Sequence, residues 1–253
     1  MALTFGAATS DRVTHGSAAV LDNLDPYTWL VWIRPTTLTN NRIIVGKSTS
    51  PGTGKMLAVN GTGGNVQVLV NRATDLSYTT SDTPMSLNTW GFIAATFNSA
   101  NAAGEIVNIY GGTETVIAVE RALATTTNGT APNDDESTTN LTVGNFDGGT
   151  STFQGQIAWV GVWNIEMTLA QIQAQQYFPH VTSGCVFFAR YNNSTVGTQY
   201  DFSGFQNNGT VTGATVATIT EPANVVFFDS APLPNNYQSV EVGSGMSCTE
   251  SIT

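Results

Sequence analysis

The chain has 253 residues and a net charge of −10, with 18 acidic against 8 basic residues, and charged residues make up only 10% of it. That is less than half the usual share of about 25%, so the surface must be solvated chiefly by Ser, Thr, Asn and Gln. Two lysines (Lys47, Lys55) and scattered arginines make no basic patch to displace counterions from phosphate, which excludes nucleic acid as a partner, and no apolar run reaches the roughly 18 residues of a membrane helix.

Reading from the N terminus, Met1-Ala-Leu-Thr-Phe5 lacks the basic start and apolar core of a signal peptide, so synthesis and assembly in the cytoplasm are expected. Strand-like segments follow at 3–5, 27–34, 42–47, 56–60, 65–71, 90–97, 105–110, 116–120, 141–143, 156–163, 186–191 and 209–216. Between them stand Asn60-Gly61, Gly63-Gly64, Gly111-Gly112, Gly148-Gly149 and Asn208-Gly209, whose glycines can supply the positive φ of tight hairpins. The sheets should therefore be antiparallel. Such a chain is long for an average domain but ordinary for a single all-β sandwich.

Residues 122–139 hold little apolar content and the run Asp134-Asp135-Glu136, which predicts a long exposed loop with a solvated acidic stretch. Next comes strand 156–163, apolar on both faces. Strict alternation would set Ala158, Val160 and Val162 on one face and Ile157, Trp159, Gly161 and Trp163 on the other. Thr168 and Gln171 then fit a capping box, and Pro179 stops the helix, predicting a short helix at 169–178 lying against a sheet end. After Thr220 the pattern breaks at Pro222, Pro232 and Pro234, so residues 1–220 read as one domain and 221–253 as a Pro-containing extension for docking or oligomer contacts. Its apolar run from Val225 to Phe228 could dock on a neighbour or on its own domain, and both destinations stay open.

Two cysteines in a chain without an export signal, Cys185 and Cys248, read as free thiols. The Asn-x-Ser/Thr sequons at Asn60, Asn128, Asn140, Asn192, Asn193 and Asn208 follow from a composition rich in Asn and Thr, and glycosylation needs export.

Three motifs carry a family resemblance. Tyr27-Thr-Trp-Leu-Val-Trp-Ile-Arg-Pro35, Leu87-Asn-Thr-Trp-Gly-Phe-Ile-Ala-Ala-Thr-Phe97, and Leu141-Thr-Val-Gly144 leading through Phe153-Gln-Gly-Gln-Ile-Ala-Trp-Val-Gly-Val-Trp-Asn164 into the helix resemble the laminin-G-like, concanavalin A-like jelly roll. Val186-Phe-Phe-Ala-Arg-Tyr191 and the Asn-rich segment 201–213 resemble that family's closing strands, so the likeness covers residues 3–218. It implies an all-β, antiparallel two-sheet jelly-roll sandwich with one short helix. The start at the domain and the Ile-Ala-x-Val-x-Val-Trp-Asn variant also resemble tailed-phage and environmental viral versions.

Chemistry is sparse. A glycosidase needs two carboxylates flanking the scissile bond, and no strand carries a Glu-x-Asp-x-Glu pattern. Neither His15 nor His180 neighbours a nucleophile elbow, and both read as surface residues. Zinc would need more His and Cys, and the Gly-rich pieces at 52–54 and 61–64 lack the helix and Lys-Ser/Thr of a phosphate loop. The resemblance leaves calcium open at the sandwich rim, with Asp134, Asp135 and Asp147 as candidate ligands; against it, Ala158 and Trp159 stand where many relatives have an acidic pair. No catalytic, cofactor-binding or metal-binding residue is assigned. Trp159 and Trp163 either form an outward aromatic platform for a sugar or partner or lie beneath the chain's own helix or tail; a rim loop is the other place for a platform.

The expected function is a non-enzymatic virion protein: a capsid decoration, head fibre or tail appendage, homo-oligomeric, partnered by other virion proteins and touching host-surface carbohydrate. The alternative is a lectin-like carbohydrate-binding module with no virion role. A glycoside hydrolase or lyase is disfavoured by the missing carboxylate pair.

Overall fold

Segments with alternating apolar side chains turn one face toward a shared core, and in the computed structural model they assemble into two eight-stranded sheets, antiparallel throughout their strand pairings, with residues of both in one central cluster. The structure describes residues 2–6, 8, 10–39, 41–50, 53–61, 63–193, 195–218 and 221–227, together with the backbone of Phe228, Tyr237–Val242 and Met246–Ser251. The first sheet runs Val119–Glu120, Val107–Thr113, Gly91–Phe97, Tyr27–Pro35 and Gly155–Trp163. That last strand pairs over one half with Leu3–Phe5, which is followed by Thr215–Val216, and over the other half with Cys185–Arg190. The second sheet runs Leu123–Thr127, Leu76–Thr80, Asn65–Val70, Lys55–Asn60, Arg42–Lys47, Leu141–Val143, Arg12–Thr14 and Thr210–Thr212. This is the all-β jelly-roll sandwich with one short helix that the sequence predicts.

Several expectations are corrected. Residues 122–139 are exposed over much of their length, yet they contain the strands Leu123–Thr127 and Thr130–Asn133, and Glu136 is buried. Both are largely exposed strands, the first threonine-rich, held by hydrogen bonding to Leu76–Thr80 and Arg72–Thr74, so they leave no hydrophobic periodicity to read. The single strand expected at 209–216 is two: Thr210–Thr212 joins the second sheet and Thr215–Val216 the first, with Gly213 at φ 73° between them. Gly111-Gly112 is no turn but lies within Val107–Thr113. A Cβ on Gly112 would stand 2.6 Å from Gln176 Nε2, so this glycine makes room for the helix.

The alternation of 156–163 is interrupted. A register shift between Ile157 and Trp159 puts Ile157, Val160 and Val162 in the central core, while Ala158, Trp159 and Trp163 face the outer side of the first sheet. That outer side is covered by the chain itself. The helix Leu169–Tyr177 starts at a complete capping box formed by Thr168 and Gln171 and buries Ile172, Gln175 and Gln176. Gln176 Oε1 accepts from Ala118 N (2.6 Å), its Nε2 donates to the Thr113 and Val116 carbonyls (2.9 Å each), and its carbonyl accepts from Trp32 Nε1 (2.8 Å).

Val225 and Phe227 complete the cover, with the Arg190 guanidinium 3.7 Å from the Phe227 ring centroid. Of the two destinations open for this run, its own domain is the one occupied. Val226–Phe228 also forms a three-stranded antiparallel sheet with Tyr237–Val242 and Met246–Ser251. Cys185 carries a free, buried thiol whose pKa desolvation pushes up to about 12, keeping it protonated and unreactive. The side chain of Cys248 lies outside the described residues.

Both lysines enter the interior. Lys47 and Lys55 are cross-strand partners, and like charges so placed repel. Lys47 Nζ pairs with Asp22 and donates to the Glu136 carbonyl, while Lys55 Nζ pairs with Glu136 Oε1 and donates to the Leu24 carbonyl. This cluster ties the 19–26 and 133–137 connections to the second sheet.

Candidate functional site

All five tryptophans, Trp29, Trp32, Trp90, Trp159 and Trp163, are buried. Trp159 packs with its ring centroid 6.1 Å from that of Phe92 and 5.6 Å from that of Phe188. Of the two readings left open for Trp159 and Trp163, the covered one holds, and the aromatic platform must be sought elsewhere.

The candidate place for one is the hairpin of residues 192–208, next to the bridged pair Gln199 and Gly209. Tyr200 is 54% exposed, Phe205 52% and Phe202 40%, three of the four exposed aromatic side chains among the described residues. Their exposure follows from one inward residue. Asp201 is buried and accepts four hydrogen bonds: Oδ1 from the amides of Phe188 (3.0 Å) and Ser203 (2.9 Å), Oδ2 from the Asn207 amide and Nδ2 (3.0 Å each). An extended chain puts successive side chains on opposite sides, so turning Asp201 inward turns Tyr200 and Phe202 outward together. Beside Tyr200, a concavity of about 320 Å³ is lined by Asn193, Thr195, Gly197 and Thr198. One aromatic face with amide and hydroxyl groups around it suits a ligand that is apolar on one side and hydrogen-bonding at its edges.

His15 braces this hairpin from below. Its Nδ1 is 2.8 Å from the Asn207 carbonyl, which can only accept, so Nδ1 carries the proton; Nε2 then accepts from Tyr191 Oη at 3.1 Å. A Cβ on Gly209 would meet the imidazole at 2.5 Å, so Asn208-Gly209 supplies room for His15 instead of a positive-φ turn. His15 is therefore buried, against the expectation of a surface residue, and desolvation lowers its pKa to about 4. His180 is half-buried after the helix, where Nδ1 donates to the Phe178 carbonyl. It borders a second concavity of about 370 Å³ with Met167, Gln171 and Gln175, which no exposed aromatic ring lines.

The candidate calcium ligands do not converge. Asp135 is exposed, and its carboxylate is held below the usual range by hydrogen bonds from the Ser137 amide and then from Asn23 Nδ2. Asp134 is exposed beside it, whereas Asp147 Oδ2 accepts from Asn140 Nδ2 at 2.9 Å. Among the described residues no three His, Cys, Asp or Glu side chains gather as a metal site. Sequence reasoning named a rim loop but not its residues. The available signal was an Asp between two aromatics, Tyr200-Asp201-Phe202, beside Asn- and Gly-rich turns.

A family model of the laminin-G type, described as the concanavalin A-like lectin/glucanases superfamily, matches residues 7–173. No curated protein matches the chain in sequence. Among solved structures, the chain is similar to a Bacteroides ovatus protein provisionally named for carbohydrate binding, with 20% identity and a TM-score of 0.59 over 87% of this chain and 60% of that one. The chain thus spans less than two thirds of that protein's length. Weaker likenesses link it to the CBM40 module of a Ruminococcus gnavus sialidase (14% identity, TM-score 0.46, 67% of this chain and 95% of that one) and to tailspike protein 2 of an Escherichia coli O157:H7 bacteriophage (14%, 0.48, 76% and 26%). At such identities these are likenesses of fold.

Proposed function

The chain belongs to the concanavalin A-like lectin/glucanase superfamily, and from that membership we propose that it is a non-catalytic carbohydrate-binding module whose ligand stacks on Tyr200 of the 192–208 hairpin. The observation that carries this reading is an exposed tyrosine bordering a concavity of amide and hydroxyl groups, in a chain whose tryptophans are all internal. The C–H face of a sugar ring would lie on the phenol ring, and its hydroxyls would meet Asn193, Thr195 and Thr198. Binding without hydrolysis is supported by the chemistry of the hairpin. Its one carboxylate among the described residues, Asp201, is buried and engaged with backbone amides, whereas glycoside hydrolysis needs a carboxylate pair across the bond.

The wider setting we propose is a virus particle, with the module as a capsid decoration or a head or tail appendage and homo-oligomer contacts made by sheet edges or residues 221–253; this part rests on the viral resemblance of the sequence. A glycan array probed with the protein and with the Tyr200→Ala/Phe202→Ala variant tests the binding reading. Binding by the parent, lost in the variant at an unchanged melting temperature, is the expected result. No binding by the parent, or binding unaffected in the variant, overturns it. Immunogold labelling of purified particles tests the setting, and unlabelled particles overturn it.

A further inference from the structure

We infer that the saccharide this hairpin takes is uncharged; the inference rests on the carbohydrate-binding reading above. Recognition of a sialic, uronic or sulfated sugar requires a cation or an unengaged cluster of donors to replace the water lost from the anion. The chain has eight basic residues: Lys47, Lys55, Arg72 and Arg190 are buried, Arg12, Arg34, Arg42 and Arg121 are half-buried, and none of them lines the concavity beside Tyr200. Lys47, Lys55 and Arg121 pair with Asp22, Glu136 and Asp82. Arg34 donates to Gln156, Arg42 to Thr39 and the Thr152 carbonyl, Arg72 to the Asn128 carbonyl and Arg12 to the Ser10 carbonyl, while Arg190 lies against Phe227.

The acidic side is distributed in the opposite way. Asp25, Asp75, Glu105, Glu120, Asp134 and Asp135 are all exposed, so the fully exposed charged side chains among the described residues are acidic, while the basic ones are half-buried or buried. Residues 191–200, which supply the lining of the concavity, contain no Asp, Glu, Lys, Arg or His. An anionic sugar approaching Tyr200 would be repelled at long range by a molecule of net charge −10 and would meet no counter-charge on arrival. Neutral hydroxyls suffer neither penalty. The selectivity is thus built by exclusion as much as by attraction.

The test is titration calorimetry and array binding with matched pairs: sialylated and desialylated glycans, uronic-acid and hexose oligomers, sulfated and unsulfated forms of one chain. The expected result is that a neutral member binds and its charged counterpart binds at least about tenfold more weakly. Raising the salt to about 0.5 M should narrow the difference by screening while leaving neutral binding unchanged. Thr198→Lys, which adds a cation at the concavity, should narrow it as well. Equal or tighter binding of the charged member overturns this inference and leaves the carbohydrate-binding reading intact. Failure of every pair in both forms overturns that reading and this inference with it.

Discussion

Replacing Glu136 by Gln should destabilise the protein by about 3–5 kcal/mol, because it removes one partner of a buried ion pair and leaves the other charge in place. The side chains of Lys55 and Glu136 are 3% and 2% exposed, and Nζ–Oε1 is 2.6 Å. Burial pushes the lysine pKa down and the glutamic acid pKa up, each opposed by the attraction of the other. In that variant the amide oxygen can still accept from the ammonium but brings no charge, and the remaining contacts, the Leu24 carbonyl at 2.8 Å and the Tyr27 ring at 5.1 Å, supply none either. In a domain of this size each kcal/mol moves Tm by about 2–4 °C, so thermal unfolding followed by circular dichroism should fall by roughly 6–20 °C. Lys55→Met should cost less at acid pH than at neutral pH, since Glu136 can then neutralise itself by taking a proton, an escape closed to Lys55 in the Glu136→Gln variant. The double variant Lys55→Met/Glu136→Leu should return to within about 1 kcal/mol of the parent, or exceed it, because both desolvated charges are gone. A Glu136→Gln loss below about 1 kcal/mol, or a double variant as poor as the sum of the singles, would refute the argument.

His15 gives a pH dependence of defined sign. Its folded pKa is depressed, so its contribution is present above the unfolded value near 6.5 and is lost as the pH falls through about 4, amounting to about 3 kcal/mol. Urea unfolding across that window should show this loss in the parent and a shallower one in His15→Gln; equal slopes would contradict the burial of the imidazole. Trp159→Ala should cost about 3–5 kcal/mol by opening a cavity under the helix and the Phe227 cover. A Trp159→Ala variant of parental stability that had lost only glycan binding would restore the platform reading. Because Asp134, Asp135 and Asp147 are not gathered together, excess calcium or a chelator should leave the melting curve unmoved, and a calcium-dependent rise would reveal a ligand set specific to the fold.

What the sequence determined by itself is local. Alternation named most strands, and the helix was legible down to its Thr168 and Gln171 cap, because a capping box closes within four residues and a strand's period needs only its own side chains. The register shift at Ala158 was not legible, since a bulge is defined by how two neighbouring strands align and not by one strand's composition. The exposed strands Leu123–Thr127 and Thr130–Asn133 escaped for the same reason: their hydrogen bonds lie in partners, and no buried face marks them.

Tertiary structure decided which surfaces are covered. Trp159 vanished beneath a helix and a C-terminal segment that no local signal directs there, and Lys47 found the Glu136 carbonyl 89 residues away. Tyr200 and Phe202, apolar enough to be read as core, stand in solvent because Asp201 between them is drawn inward by amides from its own turn and from the Phe188 strand. Periodicity says that a residue has a face. Only the packing of distant elements says whether that face meets protein or water, because burial is a property of everything around a side chain and not of the side chain alone.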